Sequence, residues 1–483
     1  MVRNYRASIF HWRDPFRSRN SIPPTSSRAT PRDRFLPIQR VFAWYVSAEI
    51  RDRMKIFFSA GEPSGDLHGA NLIRELRERC PVVQAVGYGG PEMAAAGCQL
   101  HTDLTALAVM WIVRVAINIH KFLALAGRAD RYFRHHRPDA VVLIDYPGFN
   151  WWIARRAKAH GIPVFYFAPP QVWAWATHRI RKVRRFVDHV LCSLPFEQQW
   201  YRERGANATF IGHPFFDEVA RQRLDASFLA KQRDPSRPLV ALLPGSRTQE
   251  VEHNLKYFLK AAALIHAQVP SARFAIASFK PHQAEYARAA VKAAGLPIEV
   301  HLKRTPELIH LADCCLAVSG SVSLELLAAC KPTAILYWIS PLGYALQRRY
   351  RRVKYITLVN LLSAAEPFSG DATTYDPERG DTPEVLYPEY VTCEDKSRQL
   401  AGHVVEWLTD RAGREQLVAR LAELKAEVGH GGAARTAAAY ILEELNRRPA
   451  PQYPPHYIPA AGMVLAPSLR PRGAKTVRKR SAA

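Results

Sequence analysis

Residues 55–70, KIFFSAGEPSGDLHGA, decide the fold. The apolar run Ile56-Phe57-Phe58 breaks abruptly at Gly61, Pro63, Ser64, Gly65 and Asp66. Leu67, Ala70, Leu72, Ile73 and Leu76 then recur at helical spacing. A buried strand, a tight glycine turn and a helix start fit this order. Glycine lets backbone approach a ligand closely, and the free N–H groups of a first helical turn attract hydroxyl or phosphate oxygens. A plain strand-to-helix connection fits the order equally well. The stretch is neither GxGxxG nor GxxxxGK[ST], so it does not point to a dinucleotide or Walker-type site.

Outward from this stretch, apolar strands alternate with helical patterns. Strands are expected at 55–60, 82–88, 140–144, 164–168, 189–193 and 209–212, with helices such as 67–79 and 149–160 between them. The polar, charged segment 216–238 reads as a connection. Strand 239–243 then runs into Pro244-Gly245-Ser246-Arg247, with a helix beginning near Gln249, which repeats the layout of 55–70. Further strands are expected at 273–278, 298–301, 315–318 and 333–337. Such alternation builds parallel, doubly wound sheets whose ligands sit at the strands' carboxyl ends. The expected fold class is therefore α/β, with two Rossmann-like lobes, residues 54–216 and 217–395, facing a central cleft. Residues 396–445 read as helices that could cross back to the first lobe.

Charge and cysteine content narrow the functional classes. The 483 residues carry a formal charge of +24. Residues 1–53 hold eleven Arg and four acids, and residues 446–483 hold eight Lys or Arg and no acid, so +15 of that charge lies on the two ends. The moderately basic middle suits an anionic ligand or an anionic membrane surface better than a duplex groove, and no nucleic-acid partner is expected. Seven cysteines include Cys314-Cys315 but no C-x-x-C pair, the pattern of scattered buried thiols in a reducing compartment. No H-E-x-x-H, D-x-D or spaced Cys/His set occurs, so no metal is expected. Residues 1–53 have the composition of a transit peptide, but an upstream extension with Met54 as the true start is the preferred reading. Residues 446–483 are Pro-rich, basic and expected to be disordered. The apolar segment 104–126 is interrupted by Arg114, Asn118, His120 and Lys121. Its longest clean run, 106–113, is far short of the roughly 18–20 residues that span a bilayer. It reads either as a buried helix or as an interfacial helix presenting Met110, Trp111 and Ile112 to lipid.

Several residues could carry chemistry. Ser319-Gly320-Ser321, closing a strand and opening a helix, suits a diphosphate, and Glu325 one turn in could accept hydrogen bonds from a ribose. Ordinary helix capping explains the same residues. Gly245-Ser246-Arg247 strengthens the phosphate reading, since a guanidinium suits phosphate oxygens. Asp145 ends an apolar strand and is placed as a general base, with Glu62 a second acid for the same cleft; helix capping is the plainer role for Asp145. Trp173 and Trp175 either pack in the core or line a sugar or acyl pocket, and His213 in Gly-His-Pro suits a hinge or cleft.

With these residues aligned, the chain resembles the lipid-A-disaccharide synthases. The shared pieces are SAGEPSGDLHGA (59–70), GGPEMAAAGC (89–98), LIDYPGFN (143–150), PPQVWAW (169–175), FIGHP (210–214), LLPGSRTQEVE (242–252), SGSVSLE (319–325) and LVNLL (358–362). The resemblance implies an inverting glycosyltransferase of the GT-B type. It would join UDP-2,3-diacylglucosamine to 2,3-diacylglucosamine 1-phosphate (lipid X), giving a β-1,6-linked acylated disaccharide 1-phosphate and UDP. By resemblance Asp145 is the base that takes the acceptor 6-hydroxyl proton; Glu62 stays the second candidate acid of the same cleft. Arg247, Ser319, Gly320, Ser321, Glu325, Asn360 and Glu389 fall on the nucleotide side with Gly245 and Ser246. Ser64, Gly65, Asp66, Trp173, Trp175 and His213 are assigned to the acceptor side of the cleft. Neither a cofactor nor a metal is implied.

An enzyme whose substrates carry acyl chains must meet a membrane surface, so the interfacial reading of 104–126 becomes the favoured one. The implied location is the cytoplasm, peripherally on the inner membrane; homodimerisation is left open. Three departures stand out: Gly148 where the family has an aspartate, Thr392 where it usually has Gln, and an insertion of about 20 residues within 365–386. Another GT-B enzyme of UDP-sugars, a lipid-linked N-acetylglucosaminyltransferase or a UDP-sugar epimerase, is the alternative.

Overall fold

Apolar residues on both faces of a short strand call for a sheet covered on both sides. In the computed structural model, which describes residues 54–108, 119–368, 375 and 385–448, two such sheets form. The first contains β1 (Met54–Ala60), β2 (Val83–Gly89), β3 (Gln99–Asp103), β4 (Ala140–Ile144), β5 (Val164–Phe167), β6 (His189–Cys192) and β7 (Ala208–Phe210). Its spatial order is β3-β2-β1-β4-β5-β6-β7. The second contains β8 (Leu239–Leu243), β9 (Arg273–Ser278), β10 (Ile298–Leu302), β11 (Cys314–Ala317), β12 (Thr333–Trp338) and β13 (Glu389–Thr392), in the order β10-β9-β8-β11-β12-β13. Every strand pair is parallel.

Both orders reverse direction once, between β1 and β4 and between β8 and β11. At such a reversal the flanking connections leave on opposite faces and open a crevice at the carboxyl ends of the strands. The residues after β1, β4, β8 and β11 therefore surround the two crevices. Strand pleating splits each core in two: Phe57 packs on one face of the first sheet, while Ile56, Phe58 and Ala60 pack on the other. The second sheet repeats this, with Val240 and Leu242 on one face and Leu239, Ala241 and Leu243 on the other.

Two strands exceed the sequence expectation. β3 (QLHTD) is an edge strand in which no residue is fully buried, so it lacks an apolar run. β13 (EYVT) opens on a buried glutamate, a residue that reads as a site rather than a strand.

The helices used below are α1 (Pro63–Arg79), α2 (Pro147–Ala159), α3 (Pro214–Arg221), α4 (Val322–Ala328), α5 (Pro341–Tyr350), α6 (Leu358–Ser363) and α7 (Ala433–Arg447). The segment 397–445 resolves into three helices. Ser397–Thr409 and Arg411–Val428 join the cores of the second sheet. α7 returns to the first lobe, where Ala437, Ala438, Ile441 and Leu445 enter the core of β1. α3 anchors that return: the Asp217 carboxylate accepts hydrogen bonds from the N–H groups of Gly432, Ala433 (3.2 Å) and Ala434 (2.9 Å) at the start of α7. Arg221 of the same helix donates to Asn71 Oδ1 on α1 at 2.6 Å, and Gln222 reaches Glu325 at 3.4 Å.

The helix Ile119–His136 buries Phe122, Leu125, Ala126, Ala129 and Phe133 in the first lobe, so the end of segment 104–126 is core. Met110, Trp111 and Ile112 lie outside the described residues, as do residues 1–53, most of 365–386 and residues beyond 448. Among the described residues no helix is long and apolar enough to cross a membrane. Because Asp217 alone satisfies three N–H groups at a buried helix start, Asp217→Ala is expected to lower unfolding stability by about 1–2 kcal/mol. Chemical denaturation measures this, and limited proteolysis should cut first near residues 429–433.

Candidate active site

The carboxyl ends of β1 and β4 meet at the first crevice. Leaving β4, Asp145 (φ 43°) and Tyr146 (φ 46°) both take the left-handed conformation. For residues with a Cβ this costs roughly 1–2 kcal/mol each, so something must hold them. Asn150, fully buried on α2, is the holder. Its Nδ2 donates to the carbonyl oxygens of Asp145 (2.7 Å), Ile144 (3.1 Å) and Ser59 (3.2 Å), and its Oδ1 accepts from the Ser59 hydroxyl at 2.7 Å. The Tyr166 hydroxyl donates to the same Asp145 carbonyl at 2.8 Å. With its carbonyl fixed on the sheet side, Asp145 is held at the strand end. Gly61 belongs to the same arrangement: a Cβ there would lie 2.3 Å from the Tyr146 ring, so only glycine lets that ring cross the end of β1.

Electrostatics ties the two lobes together here. Burial lifts the Asp145 carboxyl above the usual carboxylate range, opposed by the Tyr146 N–H and by His68 and Arg247. Burial also raises Glu62, helped by the negative charge of Asp145 and opposed by Arg247. Arg247 lies just beyond β8, so a cation of the second lobe acts on both acids of the first.

In the second lobe, Gly245 has φ 125°, and a Cβ on it would lie 2.5 Å from that of Glu250. Glu250 accepts from Arg247 N (3.2 Å) and from its guanidinium (2.9 Å), leaving Arg247 largely exposed and aimed by one end. The Ser246 carbonyl accepts from buried Gln283 at 3.0 Å. After β11, the Ser319 hydroxyl donates to the Ile356 carbonyl at 3.2 Å, Gly320 has φ 155°, and Ser321 is exposed at the cap of α4 without a side-chain capping bond. α4 has seven residues, so its dipole alone makes no anion site. Glu325, half-buried, is raised by burial and receives the Gln222 amide.

Several assigned side chains face away from a ligand. Glu389 (2% exposed) accepts from Ile356 N at 2.7 Å, Thr357 N at 3.0 Å and Asn360 Nδ2 at 3.0 Å. Asn360 (1%) is otherwise spent on both the N–H and the carbonyl of Tyr387. These two form a clasp that positions the start of α6, in place of the direct nucleotide contacts assigned to them. Asp66 is likewise enclosed, its carboxylate accepting from the N–H groups of Gly90, Glu92 and Met93. Trp173 is core, packed on Phe196 and Phe368 and donating to Glu197 at 2.8 Å, so it lines no pocket. Burial holds Glu197 at about 7.

Trp175, by contrast, is exposed and lies under Arg179. Ser64 is exposed and Gly65 buried in the first turn of α1. His213 caps α3 by accepting from Phe215 N, and burial pushes it down to about 3, which keeps the ring neutral. Thr392 is buried, its hydroxyl accepting from Glu394 N. Gly148 is exposed, with open space where a side chain would project. Among the described residues no three His, Cys, Asp or Glu side chains gather as a metal centre requires.

Sequence reasoning assigned no role to Asn150 or Tyr166, because one reads as a helix residue and the other as a strand aromatic. Nor did it single out His68, whose Nδ1 stands 2.8 Å from Glu218 Oε1 between Asp145 and the hinge.

Two parallel Rossmann-like sheets with a carboxylate crevice in one lobe and an arginine turn in the other define a GT-B-type architecture. Solved structures share it: a putative UDP-N-acetylglucosamine 2-epimerase from Listeria monocytogenes (TM-score 0.56, 10% identity, covering 83% of this chain and 99% of that one) and the glycotransferase of kitacinnamycin (TM-score 0.50, 17% identity, 82% and 99%). Sequence comparison goes further. The family model for lipid-A-disaccharide synthetase matches residues 56–369. The lipid-A-disaccharide synthase of Geobacter metallireducens is 32% identical over 403 residues, covering 82% of this chain and 98% of the relative. The chain belongs to the lipid-A-disaccharide synthase family, and it is a glycosyltransferase of lipid A disaccharide synthesis.

If Asn150 positions the base, Asn150→Ala should lower kcat about 10- to 100-fold, as a shift of an ångström can, with little change in the KM for donor. If Asp145 is the base it must be ionised to act, and activity should then fall as pH drops through its raised pKa. Releasing the clamp relieves the burial, and the acid limb of kcat/KM should move to lower pH. A pH–rate profile of both proteins checks the direction.

Proposed function

We propose that this enzyme joins UDP-2,3-diacylglucosamine to 2,3-diacylglucosamine 1-phosphate, with Asp145 taking the proton from the acceptor 6-hydroxyl. The observation that carries this is Asp145, clamped at the β4 end and lifted by burial, facing the charge of Arg247 from the opposite lobe. A displacement of this kind needs an activated hydroxyl on one side and a stabilised leaving group on the other. Arg247 and the Ser321 hydroxyl would receive the UDP diphosphate, the Glu389–Asn360 clasp and the Ser319–Ile356 bond would set the loop beside them, and no metal would be needed. Glu62, raised by burial and by the charge of Asp145, would stand beside the reacting oxygen as the second acid of the crevice. The acylated substrates would be drawn from the cytoplasmic face of the inner membrane, which the enzyme would meet peripherally.

Purified protein with UDP-2,3-diacylglucosamine should release UDP only when acylated acceptor is present, and excess chelator should leave the rate unchanged. Conversion of the nucleotide sugar without acceptor would instead indicate epimerase chemistry, and loss of activity on chelation would overturn the metal-free displacement.

A further inference from the structure

Helix α5 (Pro341–Tyr350) follows the carboxyl end of β12, on the cleft edge of the second sheet. Its start is well specified, with Ser340 Oγ accepting from Gly343 N at 3.2 Å and Pro341 at the first position. Among the described helices of eight residues or more, it alone buries no residue. Leu342 (81% exposed), Leu346 (59%) and Tyr350 (55%) recur every fourth residue and so share one face. A helix this short is marginal in water unless something covers that face. Charge indicates what. No Asp or Glu occurs between Glu325 and Glu366, whereas Arg348, Arg349 and Arg352 are all exposed.

We propose that α5 is a membrane-docking element of the second lobe. It lies flat in the headgroup region of an anionic bilayer, with Leu342, Leu346 and Tyr350 at the acyl boundary and Arg348 and Arg349 on lipid phosphates. Ten residues rise about 15 Å, half the hydrocarbon thickness, so the helix rests in the interface. A basic amphipathic helix of this kind binds by apolar burial plus attraction to anionic lipid. A second copy of the chain suits the face less well, because a two-fold contact would bring like charges together. The position also serves the reaction. The segment after α5 carries Ile356, whose carbonyl accepts from Ser319, and Arg352, whose N–H donates to Ala174 beside exposed Trp175 at 2.8 Å. Lipid at α5 is therefore lipid at the rim of the cleft. This inference rests on the proposed use of membrane-held acylated substrates.

The test is co-sedimentation of the full chain with phosphatidylcholine vesicles, with and without one-third phosphatidylglycerol. Wild type should bind the anionic vesicles. Leu342→Asp/Leu346→Asp should bind at least about tenfold more weakly, and Arg348→Glu/Arg349→Glu should lose the preference for anionic lipid. Both variants should keep the wild-type circular dichroism, since the altered side chains are exposed. Wild-type binding by the Leu variant overturns the role of α5 while leaving membrane-held substrates intact. A change of oligomeric state in that variant with unchanged vesicle binding assigns the face to a second copy instead. Failure of the wild type to bind either vesicle overturns both this inference and the membrane reading beneath it.

Discussion

The amide of one buried asparagine holds the carboxyl end of the first lobe's central strands. Asn150 donates to three carbonyl oxygens, those of Ser59, Ile144 and Asp145 at the ends of the two central strands of the first sheet, and accepts from the Ser59 hydroxyl in return. These carbonyls lie at the strand ends, where buried backbone acceptors need partners. Satisfying them together stabilises the left-handed backbone at Asp145 and Tyr146. That backbone turns the Asp145 side chain out of the sheet, and Gly61 makes room for the ring that follows it. Asn150 and Tyr166 both bond to the Asp145 carbonyl, which in the proposed mechanism makes them positioning residues.

The second lobe uses the same topology for a different task. Glu250 and Gln283 hold the turn after β8 by the Arg247 N–H and the Ser246 carbonyl, and the Glu389–Asn360 clasp holds the segment before α6, to which Ser319 after β11 is bonded. Arg247, Ser319 and Ser321 are left near the crevice. One lobe therefore presents an acid raised by burial, the other a cation and hydroxyls. The hinge helix α3 ties both to α7, so the spacing of the two half-sites depends on contacts made by Asp217 and Arg221.

Much of this was legible in the sequence. Uninterrupted apolar runs such as Ala140–Ile144 and Leu239–Leu243 give central strands their bounds, and a glycine turn after each inner strand marks the crevice. What escaped was governed by long-range contacts. Gln99–Asp103 is a strand only because β2 offers it an edge. Glu389 looks like a ligand-binding acid, yet its partners lie some thirty residues back in the chain, and enclosure turns it into a structural clasp. Asp66 and Trp173 were misjudged for the same reason: a polar or aromatic residue in a shared motif marks a need for that side chain without saying whether the need is contact or support. Asn150 shows the reverse case, a helix residue of no evident distinction that folding places on three carbonyls.

The most direct test of the account replaces the reacting atom and leaves its support in place. Asp145→Asn preserves volume and tolerates the left-handed backbone, so the Asn150 clamp should persist while the base is lost. The rate of acylated disaccharide formation, followed by mass spectrometry with both acylated sugars, should fall at least about 100-fold relative to wild type with unchanged thermal unfolding. Disaccharide formed at the wild-type rate by that variant would contradict it.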